Sequence, residues 1–233
     1  MPVFSPTSVD QLIDLLSEHP NANLLAGGTD FMVEVNLHGR HPQTVINLRR
    51  VEELHEWSYR HTQQTVTIGS AVPYSVMETG KIAELIPALA QAARTVGSPQ
   101  IRAAGTLGGN LGTCSPAGDS LPVLSALNAV IHLIGPQGTR DVPWEEFMLG
   151  VKKNALGSGE FVHSITVPVI QGWQGYAKVG TRNAMVISTA SACLVRDTEE
   201  GLISIALGSV GPTIIRCSQA EKWLRKNTSL RAG

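Results

Sequence analysis

Residues 103–119 read Ala-Ala-Gly-Thr-Leu-Gly-Gly-Asn-Leu-Gly-Thr-Cys-Ser-Pro-Ala-Gly-Asp, and with His132 neutral Asp119 is the only charged residue between Ala103 and Thr139. Small side chains leave backbone N–H groups bare and close to whatever docks on them, which holds an anionic phosphate without any side-chain charge. The lone carboxylate suits a ribose hydroxyl or a ring N–H. The segment has neither strand nor helix periodicity, and long irregular stretches are commonly functional. These features predict a nucleotide cofactor lying along the segment.

A second segment of the same kind lies nearer the N-terminus. Leu24-Leu25 runs into Ala26-Gly27-Gly28-Thr29-Asp30 and then into the apolar, helix-like Phe31-Met32-Val33-Glu34-Val35. That order predicts a strand, a tight turn and a helix start capped by Thr29 or Asp30, whose first-turn N–H groups favour a pyrophosphate. A Gly-Gly turn taken alone is only a turn. Paired with the longer segment, it predicts two loops gripping one diphosphate from two sides.

The elements that position these loops follow from local pattern. Ser8-Val9-Asp10-Gln11 is a capping-box pattern, so a short helix is expected from Ser8 to just before Pro20. Strands are expected at 23–26 and 44–48 around a helix from Phe31 to Gly39, a β-α-β unit ending near Val51. Beyond it the pattern predicts a strand at 65–70, a helix opened by Pro73 and running to about Ile82, and an alanine-rich helix at 86–96 ended by Gly97. A helix at 120–128, a strand at 129–134 turning at 135–138, and a strand at 161–167 ended by Pro168 complete this part. Residues 171–175 read as a linker or long hairpin turn. Strands at 176–180, 191–197 and 202–210 follow, with a final helix at 218–226 burying Trp223 and Leu224.

Composition narrows the function classes. With 233 residues and a net charge of −1, the chain has room for a substantial core and carries no basic field or Lys/Arg run of the kind nucleic acid requires. The start, Met1-Pro2-Val3-Phe4, has no charged and apolar leader pattern, and no stretch has the length of a membrane span, so a soluble, cytoplasmic protein is expected. Cys114, Cys193 and Cys217 are isolated from one another, which gives no C-x-x-C for zinc or an iron–sulfur cluster and no disulfide framework. The scattered histidines read as structural or solvated.

Taken together, four motifs resemble the FAD-binding (medium) subunit of the molybdenum hydroxylases, similar to the medium subunit of carbon monoxide dehydrogenase and the FAD domain of xanthine dehydrogenase. In chain order they are residues 24–30, Leu-Leu-Ala-Gly-Gly-Thr-Asp; residues 100–110, Gln-Ile-Arg-Ala-Ala-Gly-Thr-Leu-Gly-Gly-Asn; residues 115–119, Ser-Pro-Ala-Gly-Asp; and Tyr176-Ala177-Lys178 followed by Arg182-Asn183-Ala184. The resemblance spans nearly the whole chain.

It implies an α+β fold of the PCMH (vanillyl-alcohol oxidase-like) FAD-binding type. Residues 1–52 would form a small α/β subdomain, 53–170 a larger mixed one, and 174–233 a C-terminal sheet-and-helix unit, shortened relative to the family. FAD would lie extended between the first two. By position, Leu25, Ala26, Gly27, Gly28, Thr29, Asp30 and Phe31, with Thr106, Leu107, Gly108, Gly109 and Asn110, are the pyrophosphate loops. Thr113 and Asp119 fall on the ribityl and adenosine side, while Val96, Val162 and Lys178 match positions that approach the cofactor in relatives.

The resemblance further implies a complex in which a molybdopterin-containing large subunit oxidises the substrate and a [2Fe–2S] small subunit relays electrons. This chain would pass them to NAD+, a quinone or another acceptor, within a dimer of heterotrimers. No catalytic acid or base and no metal ligand is then required of it, because the flavin carries the chemistry. Two alternatives stay open: a stand-alone FAD-dependent oxidase or reductase, and a flavin-free assembly subunit.

Overall fold

The computed structural model describes residues 1–227; the expected chain ending at 228–233 lies outside them. The N-terminal part comprises β1 (Val3–Phe4), α1 (Val9–Glu18), β2 (Asn23–Leu25), α2 (Phe31–Leu37) and β3 (Val45–Asn47). The three strands form a parallel sheet ordered β1-β3-β2, so β2-α2-β3 is the expected β-α-β unit. Ser8 caps α1 by accepting from the Gln11 N–H at 3.3 Å, but Gln11 returns its side chain to the Thr7 N–H at 2.9 Å instead of closing the box on Ser8. Leu12 and Leu16 on one face of α1 are sealed against Ile46, Leu48 and Phe161.

Two short 3-10 turns lead into the central part. It contains β4 (Trp57–Arg60), β5 (Thr65–Gly69), α3 (Tyr74–Met77), α4 (Gly80–Leu85), α5 (Pro87–Thr95), α6 (Pro99–Ala104), α7 (Leu107–Thr113) and α8 (Leu121–Ala126). Then come β6 (Val130–Gly135), β7 (Gly138–Pro143), α9 (Trp144–Phe147), β8 (Met148–Gly150), β9 (Lys153–Asn154) and β10 (Phe161–Pro168). The sheet β4-β5-β10-β6-β7 is antiparallel throughout, and the helices bury their apolar faces with its Ile68, Ile131, Leu133 and Ile165 in one large core.

The C-terminal part is the antiparallel sheet β11 (Gly172–Val179), β12 (Ala190–Asp197), β13 (Leu202–Gly208) and β14 (Ile215–Arg216), followed by α10 (Ser218–Asn227). It is tied to α5 by two glutamines: Gln174 accepts from the Ala88 N–H at the start of α5, and Gln91 accepts from the Tyr176 N–H at 2.7 Å. An orphan first-turn donor is thereby satisfied across two parts of the fold.

Several expectations are corrected. The helix expected from Pro73 to Ile82 is broken in two, with Gly80 at a φ of +69° starting the second piece. Residues 171–175 are no linker, because β11 starts at Gly172 and pairs with Asp197. Trp223 is 63% exposed and does not pack as expected. The largest correction concerns the stretch 103–119, expected to be irregular, in which α6 reaches Ala104 and residues 107–113 form α7. Glycine is a poor helix former, but Leu107 and Leu111, one turn apart, are both fully buried, and Thr106 caps the helix by accepting from the Gly109 N–H at 3.0 Å. Core anchoring outweighs propensity.

Candidate functional site: a cleft between two glycine loops

The turn after β2 lies directly against the α6–α7 junction, and glycine makes that approach possible. A β-carbon on Gly27 would overlap the Ala104 carbonyl, and one on Gly108 would overlap Ser70. The second glycine of each pair is clear of backbone and meets only side chains, Leu25 and Met32 at Gly28 and Thr106 at Gly109. Gly28 has a φ of +73°, and a β-carbon on Gly109 would meet only the Thr106 Oγ1 at 3.0 Å. Each Gly-Gly pair thus divides the work: Gly27 and Gly108 allow backbone contact, while Gly28 supplies a left-handed turn and Gly109 is bounded only by the Thr106 hydroxyl. Gly27→Ala should therefore destabilise the protein by about 1–3 kcal/mol through overpacking, read as a lower midpoint in chemical denaturation.

Between these loops runs a cleft of about 770 Å³, within the range of roughly 300–1,000 Å³ usual for cofactor and ligand sites. Ala26, Gly27, Gly28, Thr29, Asp30 and Phe31 line one side; Thr106, Gly108, Gly109, Asn110 and Thr113 line another; Val96 and Val162 contribute apolar wall. Most of the residues expected from sequence are brought together here. Leu25, Leu107, Asp119 and Lys178 are not part of the wall. Leu107 is fully buried in the core, and Asp119 and Lys178 face each other behind the cleft.

The two loops differ in what they offer an anion. In α7 the Gly108 N–H donates to the Ser70 carbonyl at 2.9 Å, the Leu107 N–H faces that of Val72, and the Gly109 N–H is taken by Thr106. The expectation of bare donors on both loops is thus corrected. Among the described residues, no protein acceptor is found for the N–H groups of Gly27, Gly28, Thr29 and Asp30, so the unpaired amides lie on the first loop, while the second contributes side chains to the cleft. The capping expectation is also corrected: Asp30 makes no cap bond to α2, and its Oδ2 accepts from the Thr113 hydroxyl across the cleft at 3.2 Å.

Other wall residues were not anticipated. Glu34 on α2 pairs with Lys152 at 2.7 Å, and this partner holds its carboxyl below the usual range. Arg40 lies over the Phe31 ring at 5.3 Å. Residues 157–159, Gly-Ser-Gly ahead of β10, form a third stretch of small residues, a signal of the same type as the first two. Arg40 and Lys152 carried no such signal, since each is an ordinary surface cation until the chain folds.

Behind the wall, Asp119 Oδ2 accepts from Lys178 Nζ at 2.7 Å and Oδ1 from the Tyr176 hydroxyl at 2.9 Å. Lys178 Nζ also donates to the Thr95 carbonyl at 3.1 Å. Both side chains are less than a tenth exposed. Burial outweighs the pull of Lys178 and raises the Asp119 carboxyl, and burial also raises the Tyr176 phenol, which therefore stays a donor. Asp119 thereby pins the α7–α8 connection to β11.

An α+β chain with a bare-amide nest, glycine-made space and an apolar end is a nucleotide-cofactor-binding protein. Residues 1–170 match the family described as FAD binding domain in molybdopterin dehydrogenase. The chain is 32% identical over 226 residues to the caffeine dehydrogenase subunit beta of Pseudomonas sp. (strain CBB1), covering 94% of this chain and 76% of that one. It is 31% identical over 219 residues to the carbon monoxide dehydrogenase medium chain of Hydrogenophaga pseudoflava, covering 91% and 75%. A solved structure of carbon monoxide dehydrogenase from that organism, lacking the Mo-pyranopterin moiety of its cofactor, superposes with a TM-score of 0.88 at 30% identity, covering 95% of this chain and 79% of that one.

This chain belongs to the family of FAD-binding domains of molybdopterin dehydrogenases. It is an FAD-binding oxidoreductase subunit, and the resemblance read from its motifs is correct. The cleft suits that cofactor: the Gly27–Asp30 amides are free for a diphosphate, and the space beside Gly109 is one a β-carbon would fill. Among the described residues, no helix is long and apolar enough to cross a membrane, and no group of His, Cys, Asp and Glu side chains is arranged to hold a metal.

Proposed function

We propose that this chain is the electron-exit subunit of a molybdenum hydroxylase complex, and that its FAD lies in the cleft with the diphosphate on the Gly27–Asp30 nest. The carrying observation is that set of unpaired amides, all on residues that line the cleft. Bound FAD supplies the ability to accept electrons singly and release them singly or as a hydride pair. The chain's own residues position it. Thr29, Asp30, Thr106, Asn110 and Thr113 line the polar length of the cleft, and Val96, Val162 and Ile187 supply apolar surface for a ring system. Leu25, Leu107, Asp119 and Lys178, outside the wall of the cleft, would approach the cofactor from its margins.

The subunits to either side would be a [2Fe–2S] donor and a molybdopterin-containing large subunit, in a dimer of heterotrimers, with NAD+, a quinone or another acceptor taking the electrons. The relatives' names support partners, being those of a subunit beta and a medium chain. The three larger sheets support separate units at 1–52, 53–170 and 174–233.

Coexpression with the neighbouring subunits followed by anaerobic mixing tests this reading. Substrate of the large subunit should bleach the flavin bands only when the iron–sulfur subunit is present. Bleaching by substrate with this chain alone would favour a stand-alone oxidase, and purification without flavin bands that added FAD fails to restore would favour an assembly subunit.

A further inference from the structure

We infer that Ser120 is a positioning residue for the cofactor, fixing the Asn110 amide so that its NH2 group points into the cleft as a donor. This rests on the reading that FAD occupies that cleft.

Asn110 and Tyr74 line the cleft and Ser120, between them, does not. The Ser120 hydroxyl donates to Asn110 Oδ1 at 2.8 Å, and the Tyr74 hydroxyl lies 3.1 Å from the Ser120 Oγ. Ser120 is fully buried and Tyr74 is 3% exposed. Burial raises the Tyr74 phenol, so it keeps its proton.

That proton sets the direction of the chain. Among the described residues the only hydrogen-bonding partner of the Tyr74 hydroxyl is Ser120, so Tyr74 donates to Ser120 and Ser120 in turn donates onward. The reverse order would leave the Tyr74 O–H without an acceptor among the described residues. Asn110 therefore presents its oxygen inward. Its NH2 group donates to no described residue and is left for an acceptor oxygen or nitrogen of the cofactor.

Gly118 completes the device, since a β-carbon there would stand 2.7 Å from Asn110 Oδ1 and 2.9 Å from its Nδ2. This gives the Ser-Pro-Ala-Gly-Asp-Ser stretch a physical role. It seats the amide through Gly118 and Ser120 and pins β11 through Asp119.

A double-mutant cycle on FAD affinity, measured by quenching of flavin fluorescence on titration into apoprotein, is the test. Ser120→Ala should weaken binding about tenfold, the size of one well-placed hydrogen bond. In an Asn110→Ala background the same substitution should change affinity by less than about twofold, because its effect passes through the amide. Ser120→Thr, which keeps the hydroxyl, should restore most of the loss. Equal losses in both backgrounds, or a Ser120→Ala variant with lower thermal stability and unchanged affinity, would overturn the relay. Gly109→Asp separates the two levels: if it retains wild-type affinity, the cleft reading itself fails; if it loses FAD while Ser120→Ala does not, only the relay fails.

Discussion

Gly109→Asp should yield a folded protein that purifies without flavin. Gly109 lies in the first turn of α7, where an acidic side chain is favoured by the helix dipole, and replacing a helical glycine removes an entropic cost of roughly 0.5–1 kcal/mol. The melting temperature should hold or rise. The new carboxylate occupies space that meets only the Thr106 hydroxyl, alongside the amides assigned to the diphosphate. Two like charges about 4 Å apart near a protein surface repel by about 4 kcal/mol, close to a thousandfold in affinity. Absorbance in the flavin bands and a thermal melt of the same preparation separate lost binding from lost folding.

Lys178→Met should cost about 3–5 kcal/mol of stability, because it leaves Asp119 buried without its cation. For a chain of this size that lowers the melting temperature by roughly 10 °C. The pH dependence has a definite sign. A carboxyl whose folded-state value is raised contributes stability below its unfolded range and loses it as pH rises through the folded value. Burial already raises Asp119, and removing Lys178 raises it further. The variant's deficit relative to wild type should therefore be largest at neutral pH and shrink as pH falls into the carboxylate range. Asp119→Asn combined with Lys178→Met should recover at least half of the loss, since no uncompensated charge then remains. Denaturant melts of the three proteins across pH check all of this, and a Lys178→Met deficit that is constant with pH would contradict it.

These two positions show where the sequence was readable. The glycine loops were legible because the absence of side chains is itself a local signal, and most of the residues they name do line one cleft. The helical state of residues 107–113 was hidden, since Gly108, Gly109 and Gly112 oppose a helix locally and only burial of Leu107 and Leu111 stabilises it. The leucines' spacing of one turn was the available sign. Asp119 looked free because its partner Lys178 is 59 residues away, and long-range pairing leaves no trace in a single sequence. Arg40, Lys152 and Ile187 stayed invisible for the same reason, while residues 157–159 carried the small-residue signal in plain view. Residues 171–175 read as a linker or long hairpin turn because they contain two glycines, yet residues 172–175 pair with β12 and are strand.

The most direct measurement is a crystal structure of the chain grown with FAD. The diphosphate oxygens should lie about 2.7–3.2 Å from the amide nitrogens of Gly27, Gly28, Thr29 or Asp30, with the Gly109 α-carbon against the same group. A diphosphate bound elsewhere, with those four amides left to water, would contradict the account.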